Sequence, residues 1–304
     1  KGENKKAESF FTNVVYKKKV KLSLNGALNL LIELYKHMDW VGTKENGFSG
    51  AKQKLIECFP NFEAFTVIVF QADSLDSVRE IKERVRQVYK IGFSSIHITD
   101  TKEEAIRISK LIFNENGLHF LNYAKPYKYE MLFEKVDKFH AFLKDNNINN
   151  EDVVLDGSTV LAIYGLRKNN DIDYLYNKET KMINENSDFD EHDSQLKFHN
   201  VAKEDLLYNP KYYFKFHNLK FVSFNQTYLM KRNRDEEKDK NDCSLMTLLI
   251  EDNNFKKFII KQKQLILYAK IKFKKNLYSY MMAALRKSGL YNQIRFVYRK
   301  YKKH

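Results

Sequence analysis

The fold is decided by a stretch at residues 156–175, DGSTVLAIYGLRKNNDIDYL. The apolar run at 152–155 predicts a short strand that ends at a tight turn, Gly157-Ser158. Apolar side chains then recur at helical spacing, and Asp171-Ile172-Asp173 begins an alternation of polar and apolar residues that is typical of a strand. The stretch therefore predicts a strand, a turn, a helix and a second strand in close succession.

The second strand begins with two acids that face the same way. Side chains at positions i and i+2 of a strand point to one side, so Asp171 and Asp173 share a face. Hard cations such as Mg²⁺ prefer carboxylate oxygens and are often shared with a substrate phosphate. The pair predicts a Mg²⁺ or Mn²⁺ site, against the alternative of incidental acids on a surface loop.

The turn supplies groups that suit a phosphate. Gly157 lets the backbone approach a ligand closely, and Ser158 opens the following helix, where unpaired N–H groups favour anions. We therefore predict that Gly157 and Ser158 bind phosphate next to the metal. The pattern of Gly-Ser, twelve further residues and Asp-x-Asp resembles the signature of the nucleotidyltransferase superfamily, which shares its palm with polymerase beta.

This resemblance covers about residues 131–250 and has specific implications. Arg167, just before the acid pair, is similar to a position of the family pattern and implies a further phosphate contact. The family implies Asp171 and Asp173 as catalytic metal ligands and a nucleoside triphosphate as substrate. It also implies a third carboxylate on a later strand. The obvious strand, at 219–224, carries Ser223 where an acid is expected. Three acids of the preceding segment remain as alternatives: Asp188, Asp190 and Asp193.

A charged helix is predicted at 229–250. Its Lys231, Arg234 and Lys238-Asp239 resemble a helix that follows the catalytic strands in many small-molecule nucleotidyltransferases. The resemblance implies that Lys231 and Lys238 face the triphosphate. A solvated helix with local ion pairs is the alternative interpretation.

The N-terminal half predicts an α/β domain. A buried strand at 66–70 is followed by an amphipathic helix, a short strand at 95–98 and a third, capped helix. Residues 1–20 are predicted to be a lead-in without regular structure. A further helix at 134–143 precedes the nucleotidyltransferase-like strands. We predict an α/β (α+β) fold: an N-terminal α/β domain at 1–128, a nucleotidyltransferase-like mixed sheet with helices at 129–252, and a basic helical tail at 253–304.

His97 and Asp100 are the candidate functional residues of the N-terminal half. They mark the end of a predicted strand that opens into a capped helix, where α/β sheets bind ligands. Packing for His97 and capping for Asp100 are the structural alternatives. This region weakly resembles ParB and sulfiredoxin-like domains, which implies at most nucleotide binding.

Positive charge is concentrated at the C-terminus. The chain of 304 residues has a net charge of +14, and residues 253–304 contain fifteen Lys or Arg and no acid. Basic residues mixed with Phe, Tyr and Leu suit an anionic membrane surface or a nucleic acid. Three interpretations of the tail stay open: a helical docking arm packed on the body, contact with an anionic membrane surface, and, less favoured than the membrane, contact with nucleic acid.

The cellular setting follows from what the sequence lacks. Cys58 and Cys243 form no disulfide framework, and no apolar run is long enough to span a bilayer. We expect a cytoplasmic protein, peripheral at the inner face of the membrane. The start at Lys1 indicates a segment of a longer polypeptide.

Three functions are consistent with these features. The first is Mg²⁺-dependent nucleotidyl or related phosphoryl transfer to a small or sugar-linked acceptor, in a setting such as bacterial capsule or surface polysaccharide synthesis. The second is a nucleotidyltransferase or toxin that acts on nucleic acid. The third is a non-catalytic nucleotide-binding pair of domains within a larger enzyme.

Overall fold

The structure, a computed structural model, describes residues 2–61, 63–177, 188–250, 266, 269, 273–274 and 276–291. Among the described residues up to 250 it has seven strands in two sheets and twelve α-helices. The strands are β1 (Val14–Val20), β2 (Phe65–Phe70), β3 (Val153–Leu155), β4 (Ile172–Tyr176), β5 (Phe189–Glu191), β6 (Tyr213–Phe216) and β7 (Leu219–Val222). The helices are α1 (Gly2–Glu8), α2 (Leu24–Tyr35), α3 (Ser49–Cys58), α4 (Leu75–Tyr89), α5 (Lys102–Ile112), α6 (Glu115–Tyr123), α7 (Glu130–Asp145), α8 (Gly157–Ile163), α9 (Leu196–His199), α10 (Lys203–Tyr208), α11 (Phe224–Arg234) and α12 (Glu237–Ile250). The predicted mixed α/β class is confirmed.

The five-stranded sheet has the order β5-β4-β3-β7-β6. Strand β3 pairs antiparallel with β4 and parallel with β7. Strand β4 pairs parallel with β5, and Asp173 lies opposite Asp190 in this pair. All residues of β3 and β4 are buried, as expected for central strands of a sheet covered by helices. The ends of β3, β4 and β5 therefore bring the turn at 156–158 next to two acid-bearing strands.

One hydrophobic core extends across the predicted domain boundary between residues 128 and 129. It includes Leu111 and Phe120 from the first half and Phe139, Leu155 and Phe214 from the second. The rings of Phe120 and Phe214 stack with centroids 4.7 Å apart. Residues 1–251 accordingly form a single compact unit, and residues 252–304 form another.

Several predicted elements are confirmed. The strand predicted at 66–70 is β2, and the helix predicted at 134–143 lies within α7. Helix α4 begins at a capping box in which Ser74 accepts from the Ser77 N–H. The strand, turn, helix and strand order of residues 152–176 is also present.

Three predictions about secondary structure are wrong. Residues 1–20 include α1 and β1, and β1, which contains three consecutive lysines, pairs antiparallel with β2. Residues 95–98 form no strand, because β2 pairs only with β1 in the described sheet. The helix predicted at 229–250 is two helices, which are separated where Asp235 adopts a left-handed conformation with φ of 54°.

The C-terminal unit is described only in part. Residues 276–287 are helical, which agrees with the predicted helical character of the tail. Residues 253–265 and 292–304, which carry much of the predicted membrane or nucleic-acid contact, lie outside the described residues. Among the residues that are described, no helix combines the length and the apolar character needed to cross a bilayer.

Candidate functional site

The turn after β3 meets Asp173, the second acid of the predicted pair, as the sequence predicts, whereas Asp171 precedes β4. The backbone N–H of Asp156 donates to the carbonyl of Asp173 at 2.8 Å. The backbone N–H and the hydroxyl of Ser158 both donate to Asp173 Oδ2, at 2.6 and 2.8 Å. Ser158 was predicted to bind phosphate, and here its two donors hold a carboxylate that faces the same turn.

Gly157 is required at this turn by space as well as by conformation. Its φ is +55°, which favours glycine. A Cβ at this position would collide with the Asp173 carboxylate and lie 2.8 Å from His192 Cε1. The absence of a side chain thus leaves room for Asp173 and His192 to approach each other.

The third carboxylate at this site is that of Asp190. It lies opposite Asp173 in the parallel β4–β5 pair, and its side chain is exposed. Asp193 instead forms an ion pair with Lys203 at 2.7 Å. The carbonyl of Asp188 accepts from the Ile172 N–H at 2.8 Å, which continues the pairing of the two strands. Ser223, where sequence analysis expects an acid, caps α11.

A histidine that sequence analysis did not select completes the cluster. Asp173, Asp190 and His192 each offer one ligand atom, and these atoms all lie within 4.8 Å of one another. His192 is two residues after Asp190, at the start of a 3-10 turn over His192–Gln195. The spacing Asp-x-His in residues 190–192 was the available signal.

Asp156 lies behind His192, fully buried. Its Oδ2 is 3.0 Å from His192 Nδ1 and 2.9 Å from His199 Nε2. Burial alone would raise the pKa of Asp156, but the two imidazoles outweigh it and hold this pKa well below its usual range. Burial would likewise lower the pKa of His192, and the hydrogen bond and charge of Asp156 instead raise it.

Asp171 and Asp173 differ in their environments. Burial raises the pKa of Asp173, and the charge of Asp171 adds to this, although His192 and Ser158 oppose it. Asp171 is half-buried, and its carbonyl accepts from Asn169 Nδ2 at 2.6 Å. The charge of Asp171 thus reaches Asp173, but the ligand atoms that converge are those of Asp173, Asp190 and His192, and Asp171 is not among them.

Three cations lie between this cluster and α12. Arg167 forms a bidentate pair with Asp242, at 2.6 and 2.9 Å. Arg234 forms another with Asp239, at 2.7 and 2.7 Å. Lys231, 1% exposed, lies 2.8 Å from Asp242 and 3.3 Å from Asp239. The hydrogen bond to Asp242 raises the pKa of Arg167, and that to Asp239 raises the pKa of Arg234; the charge of Asp173 contributes to both.

The remaining predicted site residues do not join these clusters. The Lys238 ammonium is 64% exposed and pairs with Glu236 at 3.1 Å, so its predicted role at the triphosphate has no support in the geometry. His97 contacts the Tyr35 hydroxyl at 3.0 Å and Glu104 at 3.4 Å. Asp100 pairs with Lys82 at 3.0 Å. The contacts of His97 fit its packing alternative. The capping alternative for Asp100 is wrong, because the Thr101 side chain caps α5 by accepting from the Glu104 N–H.

The donor set fits a divalent cation. Ligand distances of about 2.0–2.2 Å place two donors of one ion roughly 3–4.4 Å apart, so a small adjustment of the Asp173, Asp190 and His192 atoms would suffice. The space beside Gly157 that a Cβ would fill keeps this approach open. With two acids and one imidazole that converge, and with arginines nearby, the arrangement can hold a cation and an anionic ligand together.

No protein-family model matches the chain, and no significant match is found among curated proteins or solved structures.

Proposed function

We propose that this chain is a divalent-metal-dependent nucleotidyltransferase that uses a nucleoside triphosphate and a small or sugar-linked acceptor. One observation carries the proposal: Asp173 meets both the Gly157-Ser158 turn and Asp190 on the adjacent parallel strand. The Gly-Ser turn and the second acid of the Asp-x-Asp pattern thus lie next to a third acid, Asp190. Asp171, Asp173 and Asp190 would hold the metal, with His192 at the same cluster.

The metal would neutralise phosphate charge and orient the reacting oxygens. The chain's own part is positioning and electrostatics, which account for most of the catalysis in phosphoryl transfer. Arg167 and Arg234 are the cations whose pKa values Asp173 raises, so they lie within electrostatic reach of the cluster. In this proposal they compensate charge on the departing pyrophosphate.

The acids on α12 keep these cations in place. Asp239 and Asp242 are buried, and each binds an arginine through two hydrogen bonds. Lys231 lies between the two acids and completes a network of three cations and two carboxylates. The excess positive charge and the fixed guanidinium planes suit phosphate oxygens, which arginine binds in a bidentate manner.

Calorimetry tests this proposal directly. Nucleoside triphosphates are titrated into the full chain with and without Mg²⁺ or Mn²⁺, and into the double variant Asp171→Ala with Asp173→Ala. We expect binding that needs the metal and is lost in the variant. The matched control is Asp76→Ala with Asp100→Ala, two exposed acids of the N-terminal half that should leave binding unchanged. Binding that ignores both the metal and the first variant would refute the proposal.

A second measurement addresses transfer itself. Pyrophosphate release is followed with each of the four common ribonucleoside triphosphates and with a panel of sugar phosphates and polyols as acceptors. We expect release that depends on the acceptor and is absent from the Asp171 and Asp173 double variant. Metal-dependent binding without any release, for all acceptors and for an RNA acceptor, would favour the non-catalytic alternative.

A further inference from the structure

His192 is fixed between two carboxylates at the metal cluster. Its Nδ1 lies 3.0 Å from Asp156 Oδ2, and its Nε2 lies 3.5 Å from Asp173 Oδ1. The residue is 7% exposed, so solvent does not supply its partners. An ionised Asp156 can only accept hydrogen bonds, so Nδ1 of His192 carries a proton and donates to it, and Nε2 faces Asp173 and Asp190.

Asp156 is itself held in position. His199 Nε2 lies 2.9 Å from the same Oδ2 atom, and the carbonyl of His199 accepts from Gln226 Nε2 at 2.7 Å. The ring of His192 also lies against Gly157, where a Cβ would come within 2.8 Å of Cε1. The orientation of the imidazole is thus determined from two sides. A carboxylate that accepts from one ring nitrogen while the other faces a metal is the usual arrangement of a metal-binding histidine.

The chemistry of this donor set differs from that of an all-oxygen site. Mg²⁺ is a hard cation that binds carboxylates and keeps several waters, whereas imidazole nitrogen suits first-row transition metals. Asp173 and Asp190 supply oxygen, and His192 adds nitrogen within 4.8 Å of both. Mn²⁺ shares the preference of Mg²⁺ for carboxylate oxygen. As a first-row transition-metal ion it also binds nitrogen donors more strongly than Mg²⁺ does.

We infer that His192 Nε2 is a metal ligand together with Asp173 and Asp190, oriented by Asp156, and that the site consequently selects Mn²⁺ over Mg²⁺. This inference deepens the proposed function and rests on it for the role of the metal. Metal binding itself needs no nucleotide, so it can be measured separately.

Electron paramagnetic resonance of the full chain loaded with Mn²⁺ is the direct test. We expect the electron spin echo to be modulated by a directly bound ¹⁴N nucleus, and the modulation to change when the histidines carry ¹⁵N. A bound Mn²⁺ ion without nitrogen coupling would overturn the inference and would leave His192 as a cationic partner of Asp173. This experiment uses the unaltered chain, so it does not depend on the folding of any variant.

The variant His192→Gln then tests selectivity. We expect Mn²⁺ affinity to fall by about tenfold or more, the range seen when a metal-site partner is removed. Mg²⁺ affinity should change by less, so the preference for Mn²⁺ narrows and the nitrogen coupling disappears. His217→Gln is the control, because His217 also contacts an acid, Asp137 at 3.4 Å, outside the cluster.

The two proposals fail in different ways. Nitrogen coupling without nucleotide binding would remove the proposed function and support His192 as a ligand. Suppose instead that nucleotide binding needs Asp171 and Asp173, but that wild type binds Mn²⁺ no more tightly than Mg²⁺ and His192→Gln behaves in the same way. This result would overturn the ligand role of His192 and leave the proposed function in place. The expected result is nucleotide binding, nitrogen coupling and a Mn²⁺ preference that all depend on the same cluster.

Discussion

Buried charged side chains are concentrated in one part of the unit formed by residues 1–251 and are rare in the other. Among the described residues, Glu33 is the buried charged residue of the N-terminal half. Beyond residue 150 the buried charged residues are Asp156, Asp173, Lys220, Lys231, Asp239 and Asp242. The two parts share one core, so the difference does not arise from two separate folding units.

The difference identifies where the fold accepts an energetic cost. Removing a charge from water costs several kcal/mol per ion, even when a partner is present. An exposed pair such as Asp76 with Arg79 carries almost none of this cost and contributes about 0–1 kcal/mol. Buried ionisable groups whose pKa values are shifted by burial and by charged neighbours cluster at functional sites. The edge of the central sheet has this character, and the strand-and-helix layer around β1 and β2 does not.

The largest contrast is expected for an acid of each part. Asp173→Asn should reduce the proposed nucleotidyl transfer by roughly 10²–10³-fold, the scale seen when one fixed electrostatic contact to a transition state is lost. The same change should raise the melting temperature, because burial raises the pKa of Asp173 and so disfavours its charged form at neutral pH. Asp100→Asn should alter neither property. Pyrophosphate release and thermal unfolding measure the two effects.

A fall in both activity and stability for Asp173→Asn would contradict this interpretation. It would show that the Asp173 carboxylate stabilises the turn at 156–158, and that its burial is not a cost retained for binding a ligand. The backbone bond from Asp156 to the carbonyl of residue 173 remains in the variant, so the turn keeps one of its anchors.

Lysines offer the next comparison. Lys231→Met should lower the free energy of unfolding by about 3 kcal/mol, because it leaves two buried acids with less positive charge. Lys82→Met should cost less than about 1 kcal/mol, since its partner Asp100 is 63% exposed. Urea denaturation with unchanged m-values checks both. Equal costs would mean that the network around α12 contributes no more than a surface pair.

Sequence analysis predicted the centre of the site because its parts are close along the chain. Gly157, Ser158, Asp171 and Asp173 lie in one strand-turn-helix-strand unit, and such short units pair neighbouring strands. Asp190 and His192 lie further along the chain, and their distance in sequence does not predict where they fold. The parallel pairing of β5 with β4 brings them to Asp173. Asp190 could be chosen from three acids only once that register was known.

The errors in secondary structure have equally local causes. Strand β1 contains three consecutive lysines, a pattern that favours an exposed segment without regular structure. In the two-stranded sheet β1 is an edge strand, where lysine is common. Residues 95–98 have the apolar alternation of a strand but lack a neighbouring strand to pair with. Lys238 follows the residue pattern of a phosphate-facing helix, but the break at Asp235 reorients the helix that carries it.

Each part has a glycine at positive φ, and the two glycines differ in how much room surrounds the position of an added Cβ. Gly157→Ala should lower the free energy of unfolding by about 2–3 kcal/mol, because strain and a collision with Asp173 act together. Gly92→Ala, at φ of +65° with nothing within 4 Å of the added Cβ, should cost only about 1 kcal/mol from strain. Denaturant unfolding gives both values. Gly157→Ala should also weaken Mn²⁺ binding, whereas Gly92→Ala should not. A Gly157→Ala variant as stable as Gly92→Ala would show that Asp173 and His192 move apart freely.

The smallest effect concerns His119, which joins the two parts of the core. Its Nδ1 lies 2.9 Å from the Tyr164 hydroxyl, and burial lowers the pKa of His119 to about 4. In the unfolded chain the pKa of this histidine is about 6.5. At pH values between 6.5 and 4 the unfolded chain therefore binds the proton more readily than the folded one, so stability is lost as the pH falls through this range.

We expect His119 to account for roughly 2 kcal/mol of this loss of stability, after allowance for its partial exposure. The free energy of unfolding of wild type and His119→Gln should therefore converge as the pH falls, since glutamine cannot titrate. His192 contributes in the opposite sense, because its pKa is raised, and it is present in both proteins, so it cancels in the difference. A difference between the two proteins that does not change between pH 7 and pH 4 would show that His119 is protonated as easily in the fold as in the unfolded chain, and that the core joining the two parts admits water at this point.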